Sequence, residues 1–60
     1  MERAITFKSE NKQINFSDLD IEEDCVVTII EDEVPVIEYY LTPENLMVLK
    51  KHIDYLLTKI

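Results

Sequence analysis

The sequence predicts an α+β fold: a small antiparallel sheet of three to four strands in two hairpins, then one C-terminal amphipathic helix packed on one face (ββββα). Three observations predict it. Apolar and polar residues alternate through residues 3–9 and again through 13–17, and two β-branched runs, Cys25–Glu31 and Val34–Leu41, follow. After Thr42-Pro43-Glu44 the chain then repeats apolar residues at helical spacing, with neither glycine nor proline to interrupt it.

Residues 3–9 alternate, with Ile5 and Phe7 on one side and Ala4, Thr6 and Lys8 on the other. Residues 13–17 alternate again and place Ile14 beside Phe16. Taking Glu10-Asn11 as the two-residue loop sets Phe7 opposite Ile14 and Ile5 opposite Phe16, so all four share a face. Asn11 is the residue expected to adopt the left-handed backbone of the turn.

Residues 17–24 (SDLDIEED) read as an acidic connector, either a loop or an irregular continuation of the strand. Leu19 and Ile21 are expected to tuck inward while the carboxylates face water. Cys25–Glu31 and Val34–Leu41 carry the residue types strands prefer, joined by a turn over Glu31-Asp32-Glu33. Pro35 lacks an amide hydrogen and belongs at a strand's start or on an open edge.

These two strands read as apolar on both faces. Val26, Thr28, Ile30, Ile37, Tyr39 and Leu41 fall on the side expected to meet the helix. Cys25, Val27, Ile29, Val36, Glu38 and Tyr40 fall on the other. Thr42 caps the helix, Pro43 suits its first position, and Glu44 suits the positive end of its dipole. The apolar stripe is Leu46, Leu49, Ile53, Leu56, Leu57 and Ile60, with Met47, Val48, His52 and Tyr55 elsewhere on the helix.

Sixty residues make a single domain, 1–60, with a marginal core. Lone Cys25 excludes an internal disulfide, and with lone His52 it falls short of a structural zinc site. Oligomerisation is the remaining way to add stability. The chain lacks a long apolar span, and Met1-Glu2-Arg3-Ala4 lacks a signal peptide's apolar core, so a complete cytoplasmic product is expected.

The net charge of −7 is unevenly placed: residues 16–44 hold ten acidic residues and no basic one. That block argues against direct binding to nucleic acid or to anionic membrane, which both call for cations.

The acidic run lacks the glycine and terminal glutamate of a calcium loop, since Glu23 and Ile29 stand at those positions. His52 has no carboxylate one turn away, because Val48 and Leu56 stand there, and it reads as solvent-exposed. Cys25 heads an apolar strand and reads as a buried small hydrophobe rather than a nucleophile. A chain without glycine cannot build a phosphate-cradling loop. No catalytic site, cofactor or metal is expected, and the reading is non-enzymatic.

What remains is a protein-binding module. Val27, Ile29, Val36, Tyr40, Val48 and Tyr55 are the residues expected to support self-association, most simply as a homodimer. Asp18, Asp20, Glu22, Glu23, Asp24, Glu31, Asp32 and Glu33 form the acidic face expected to engage a protein with a basic surface. In size, acidity and lack of catalytic groups the chain resembles, in profile, small phage-encoded inhibitors, including those that mimic DNA. The rival reading is an accessory subunit that docks into a stable hetero-complex through its second apolar sheet face.

Overall fold

The computed structural model describes residues 3–60; Met1 and Glu2, which begin the expected N-terminal pattern, lie outside them. Four strands, β1 (Ile5–Ser9), β2 (Lys12–Leu19), β3 (Cys25–Glu31) and β4 (Val34–Leu41), form one antiparallel sheet in the order β1-β2-β3-β4. A single helix, α1 (Pro43–Leu57), follows. The chain is therefore the α+β, ββββα fold that the patterning predicts.

The first hairpin has the expected register, with Ile5 opposite Phe16 and Phe7 opposite Ile14. The rings of Phe7 and Phe16 meet edge to face, 6.2 Å apart at 80°. Glu10 rather than Asn11 takes the positive φ, at 54°. Asn11 instead uses its side chain to tie the two hairpins together. Its Nδ2 donates to Asp32 Oδ1 at 2.8 Å, and the Asp32 amide donates to the Asn11 carbonyl at 2.9 Å.

The second hairpin turns on Asp32-Glu33 alone, because Glu31 already pairs with Val34. Both turn residues have positive φ, 50° and 66°, the geometry of a type I′ turn whose twist matches that of the strands. Just beyond it the register slips: Ile30 pairs with Pro35 but Ile29 with Ile37, leaving Val36 as the extra residue of a bulge.

That bulge corrects the expected face assignment, since one inserted residue moves the rest of β4 to the opposite side. Cys25, Val27 and Ile29 face the same way as Leu41, Tyr39 and Ile37, and Tyr40 lies opposite Val26 on the other face. The sheet is thus not apolar on both sides. One face carries Ile5, Phe7, Ile14, Phe16, Leu19, Cys25, Val27, Ile29, Ile37, Tyr39 and Leu41, and ends at the hairpin tips in the row Ser9, Lys12, Glu31 and Val34. The other mixes Thr6, Lys8, Gln13, Asn15, Thr28 and Glu38 with Val26, Ile30 and Tyr40.

A second bulge lies in β2, where Ser17 and Asp18 together oppose Val26. Ser17 holds it: its Oγ accepts from the Val26 amide at 2.8 Å, and its carbonyl accepts from Cys25 Sγ at 3.3 Å. Leu19 and Ile21 do not tuck inward as the pattern suggests. Leu19 closes the strand half-exposed, and Ile21 is 100% exposed at the tip of the turn that follows.

The helix begins as expected. Thr42 Oγ1 accepts from the Asn45 amide at 3.2 Å, and Asn45 Oδ1 accepts from the Thr42 amide at 3.1 Å, a reciprocal capping box. It ends at Leu57, short of Ile60, because Thr58 closes it. Thr58 Oγ1 donates to the Tyr55 carbonyl at 2.6 Å, and its amide donates to the Asp54 carbonyl at 3.3 Å.

The expected packing of α1 on the sheet is absent within one chain. Only Thr42 separates β4 from α1, whereas the commonest links between strand and helix run to about 2–6 residues. So short a link, fixed by the capping box, gives the chain no room to reverse, and among the strands α1 touches only β4. Leu46 and Leu49 are half-buried, and the rest of the stripe is exposed. Tyr39, expected under the helix, is exposed as well.

Two side chains are buried in the whole described chain: Cys25, 6% exposed, and Val27, 8%. The Cα radius of gyration is 12.9 Å. A compact domain of this length has one of about 10 Å. No helix among the described residues is long and apolar enough to cross a membrane.

Candidate functional site

The surface divides by chemistry. The apolar sheet face is a continuous sheet of aliphatic and aromatic side chains, with Phe7 59% and Ile37 56% exposed near its two edges. At the first-hairpin end it holds an open apolar concavity of ≈ 220 Å³ that includes Phe7, Ile14 and Ile29. The centre of this face is uncharged; Lys12 and Glu31, paired across β2 and β3, stand on the same side at the hairpin end, and Lys12 also lines the concavity.

The eight carboxylates that the sequence groups together lie at the two ends of the sheet, and the structure separates them into two groups. Asp18, Asp20, Glu22, Glu23 and Asp24 gather at the β2–β3 loop, the end from which the helix departs. Glu31, Asp32 and Glu33 lie at the opposite end, beside Glu10 of the first hairpin. The length of β3 keeps the two groups about 20 Å apart.

Asp20 organises the β2–β3 loop. Its Oδ1 accepts from the amides of Glu22 at 2.9 Å and Asp24 at 3.0 Å, while its own amide donates to the Asp24 carbonyl at 3.0 Å. Asp18 anchors the loop's base, accepting from the amides of Arg3 at 3.0 Å and Leu19 at 2.8 Å. These two amide hydrogens favour the charged form and hold the Asp18 carboxyl below the ordinary carboxylate range. Asp18 and Asp20 thus have structural work of their own, whereas Glu22 and Glu23 are exposed and are not among the residues whose side chains hold the loop together.

Among the described residues, positive φ occurs at Glu10, Glu23, Asp32 and Glu33, every one acidic and every one in the loops and turns between strands. Glycine adopts this conformation without a steric penalty, and the chain has none. The left-handed backbone costs another residue type about 1 kcal/mol or more. Acidic side chains are therefore displayed at the tips in spite of their backbone preference.

On the polar face, Tyr40 Oη donates to Glu38 Oε1 at 2.8 Å. That bond, reinforced by the Glu38 charge and by Asp20 and Glu22 further away, raises the Tyr40 phenol above its ordinary value. Tyr40 is accordingly apart from Val27 and Ile29, with which it was grouped, and Val36 stands in the bulge between the two faces.

Val48 and Tyr55 lie on the outer side of the helix, away from the stripe. Tyr55 is sandwiched along the helix, stacked on His52 at 6.3 Å and covered by Lys59 Nζ at 5.0 Å from the ring centre. Lys50 and Asp54 pair loosely at 3.7 Å across one turn.

His52 is exposed beside Tyr55, and Cys25 is a buried free thiol that donates to a backbone carbonyl. The structure does not bring them together. Among the described residues no group of three His, Cys, Asp or Glu side chains is arranged to hold a metal ion.

Reading the sequence misses Ile37 and Tyr39 as uncovered surface, because it places both on the face expected to meet the helix. The signal available was the single residue between Leu41 and Pro43. Compared with protein-family models, with curated proteins and with solved structures, the chain has no match.

Proposed function

We propose that the chain is a non-enzymatic, acidic protein-binding module, an inhibitor or adaptor that assembles as a homodimer and engages a basic surface of a larger protein. The observation that supports it is the division of surface chemistry. One sheet face offers a broad, largely apolar centre with no cover from the chain's own helix, and most of the sheet's carboxylates cluster in the loops and turns at its two ends. Apolar contact supplies the affinity that joins copies, and charge supplies the steering towards a cationic partner. The acidic tips, with backbone that glycine would relieve, fit a role in which the charge itself matters. The profile is that of small phage-type inhibitors and DNA mimics.

The same uncovered face also fits an accessory subunit of a hetero-complex, and the mass in solution separates the two. Light scattering over a hundredfold concentration range should give twice 7.1 kDa for the homodimer. A clean monomer mass favours the accessory subunit instead.

The acidic part is tested by immobilising the chain and a variant carrying Glu22→Gln, Glu23→Gln and Glu33→Gln, which spares the carboxylates that hold backbone amides. Basic proteins should bind the first at low salt, leave at high salt, and fail to bind the variant. Equal capture by both chains counts against an acidic interface.

A further inference from the structure

We infer that the uncovered sheet face is closed by the helix of a second copy of this chain, each protomer's α1 lying across the apolar face of the other's sheet. This deepens the homodimer reading and rests on it.

One chain leaves two needs unmet. The sheet face lacks a covering layer, and an amphipathic helix lacks a surface. Along α1 and its C-terminal extension, Leu46, Leu49, Ile53, Leu56 and Ile60 alternate three- and four-residue steps, with Leu57 beside them. That spacing keeps a narrow stripe on one side of a helix. Ile53, Leu56, Leu57 and Ile60 are exposed. The one-residue link through Thr42 denies this stripe to the chain's own sheet.

Dimensions agree. Fifteen helical residues span about 22 Å, close to the roughly 23–26 Å of the seven- and eight-residue strands β2 and β3. A helix about 10 Å across covers two strands spaced about 4.8 Å apart, so the partner's helix would lie over Ile14, Phe16, Val27 and Ile29.

Area agrees as well. The chain exposes 5401 Å². A folded monomer of this mass exposes about 4,100 Å² by the scaling of surface with size, an excess of about 1,300 Å² per chain. Standard interfaces bury about 800 Å² per partner, and obligate homodimers about 1,000 Å² or more. The excess is what an obligate dimer removes.

A second copy is the occupant that meets both needs in one operation. Under two-fold symmetry, helix on sheet in one direction entails helix on sheet in the other. A different protein would have to supply a helix for the sheet and a separate surface for the helix. Charge is compatible: the chains each carry −7, but the centre of the apolar face is uncharged, Lys12 and Glu31 at its hairpin end are paired with each other across the strands, and the acidic tips lie at the sheet's ends. Added salt should therefore tighten self-association by screening repulsion, while it weakens binding to a basic partner.

The test mixes isotope-labelled and unlabelled chains, refolds them together, and records isotope-filtered nuclear Overhauser contacts. Intermolecular contacts from the methyl groups of Ile53 and Leu56 to Ile14, Val27 or Ile29 are expected. A dimer whose intermolecular contacts run only from sheet to sheet, or only from helix to helix, overturns helix exchange and leaves the homodimer reading standing. A monomer with intact strands and helix overturns both.

A second variant inserts Gly-Ser-Gly between Leu41 and Thr42 to give the helix room to fold back. Closure then becomes intramolecular, and the dimer dissociation constant should rise at least about tenfold while the circular dichroism stays the same. An unchanged dissociation constant counts against exchange.

Discussion

The sheet and the helix both have an apolar and a polar side, yet the two end in different states. In the sheet, each apolar residue has cross-strand neighbours on its own face, so side chains shelter one another even without a second layer. Phe7 meets Phe16, and Val27, flanked by Phe16 and Tyr39, reaches burial. A helix has no lateral neighbour of its own. Although α1 is capped at both ends, it buries no residue. Fifteen residues are also near the lower limit for a helix that is stable alone in water. The comparison teaches that satisfying the backbone and covering the apolar surface are separate problems, and that this chain solves the first in both regions and the second in neither.

The largest expected effect is at the centre of the sheet. Val27→Asp places a charge in one of the two buried positions without a partner, at a cost of about 3 kcal/mol or more. A domain this small cannot absorb that cost, so urea melts and circular dichroism should show no folded baseline. A folded variant would mean that the sheet holds together without its apolar centre.

Next in size, Thr42→Ala removes the side-chain half of the capping box and should weaken the helix by about 1 kcal/mol. Helical ellipticity should fall while the amide shifts of the strands stay in place. Loss of strand and helix signals together would show one cooperative unit and break the comparison.

A smaller effect of opposite sign is expected at Glu33→Gly. Relief of the left-handed backbone, set against glycine's greater freedom when unfolded, should stabilise the second hairpin by about 0.5 kcal/mol. The melting temperature would rise slightly. A fall would show that the Glu33 side chain contributes to folding as well as display.

The smallest effect is a titration. Tyr40 has a raised folded-state value, so its bond to Glu38 adds stability below the ordinary tyrosine range and loses it as pH rises through the raised value. Glu38→Gln should bring phenolate absorbance of Tyr40 back towards ordinary tyrosine pH. An unmoved titration would mean that the bond at 2.8 Å is not kept in solution.

Much of the architecture was legible beforehand for physical reasons. The Ile5–Phe16 and Phe7–Ile14 pairs followed from alternation about a two-residue loop. The bounds Cys25–Glu31 and Val34–Leu41 followed from β-branched runs between polar turns. The helix start followed from Thr42 and Pro43. The face of β4 was not legible, because Val36 looks like any other strand residue and a bulge arises from the local fit of two strands. The candidate acidic residues were identifiable by type, but not their division between two ends, which depends on which loops the meander brings together.

By itself, then, the sequence determined what is local: strand and helix type, the first register, the cap, and the acidic, glycine-free turns. These depend on neighbours a few residues away, where side-chain periodicity and backbone preference act. Only the tertiary structure decided what is non-local. It turned a sheet expected to be apolar on both sides into one with a single apolar face, and it set the helix beside β4 rather than over the sheet. Those outcomes depend on a one-residue slip and a one-residue link, whose consequences appear only when strands pair and the chain runs out of length to turn.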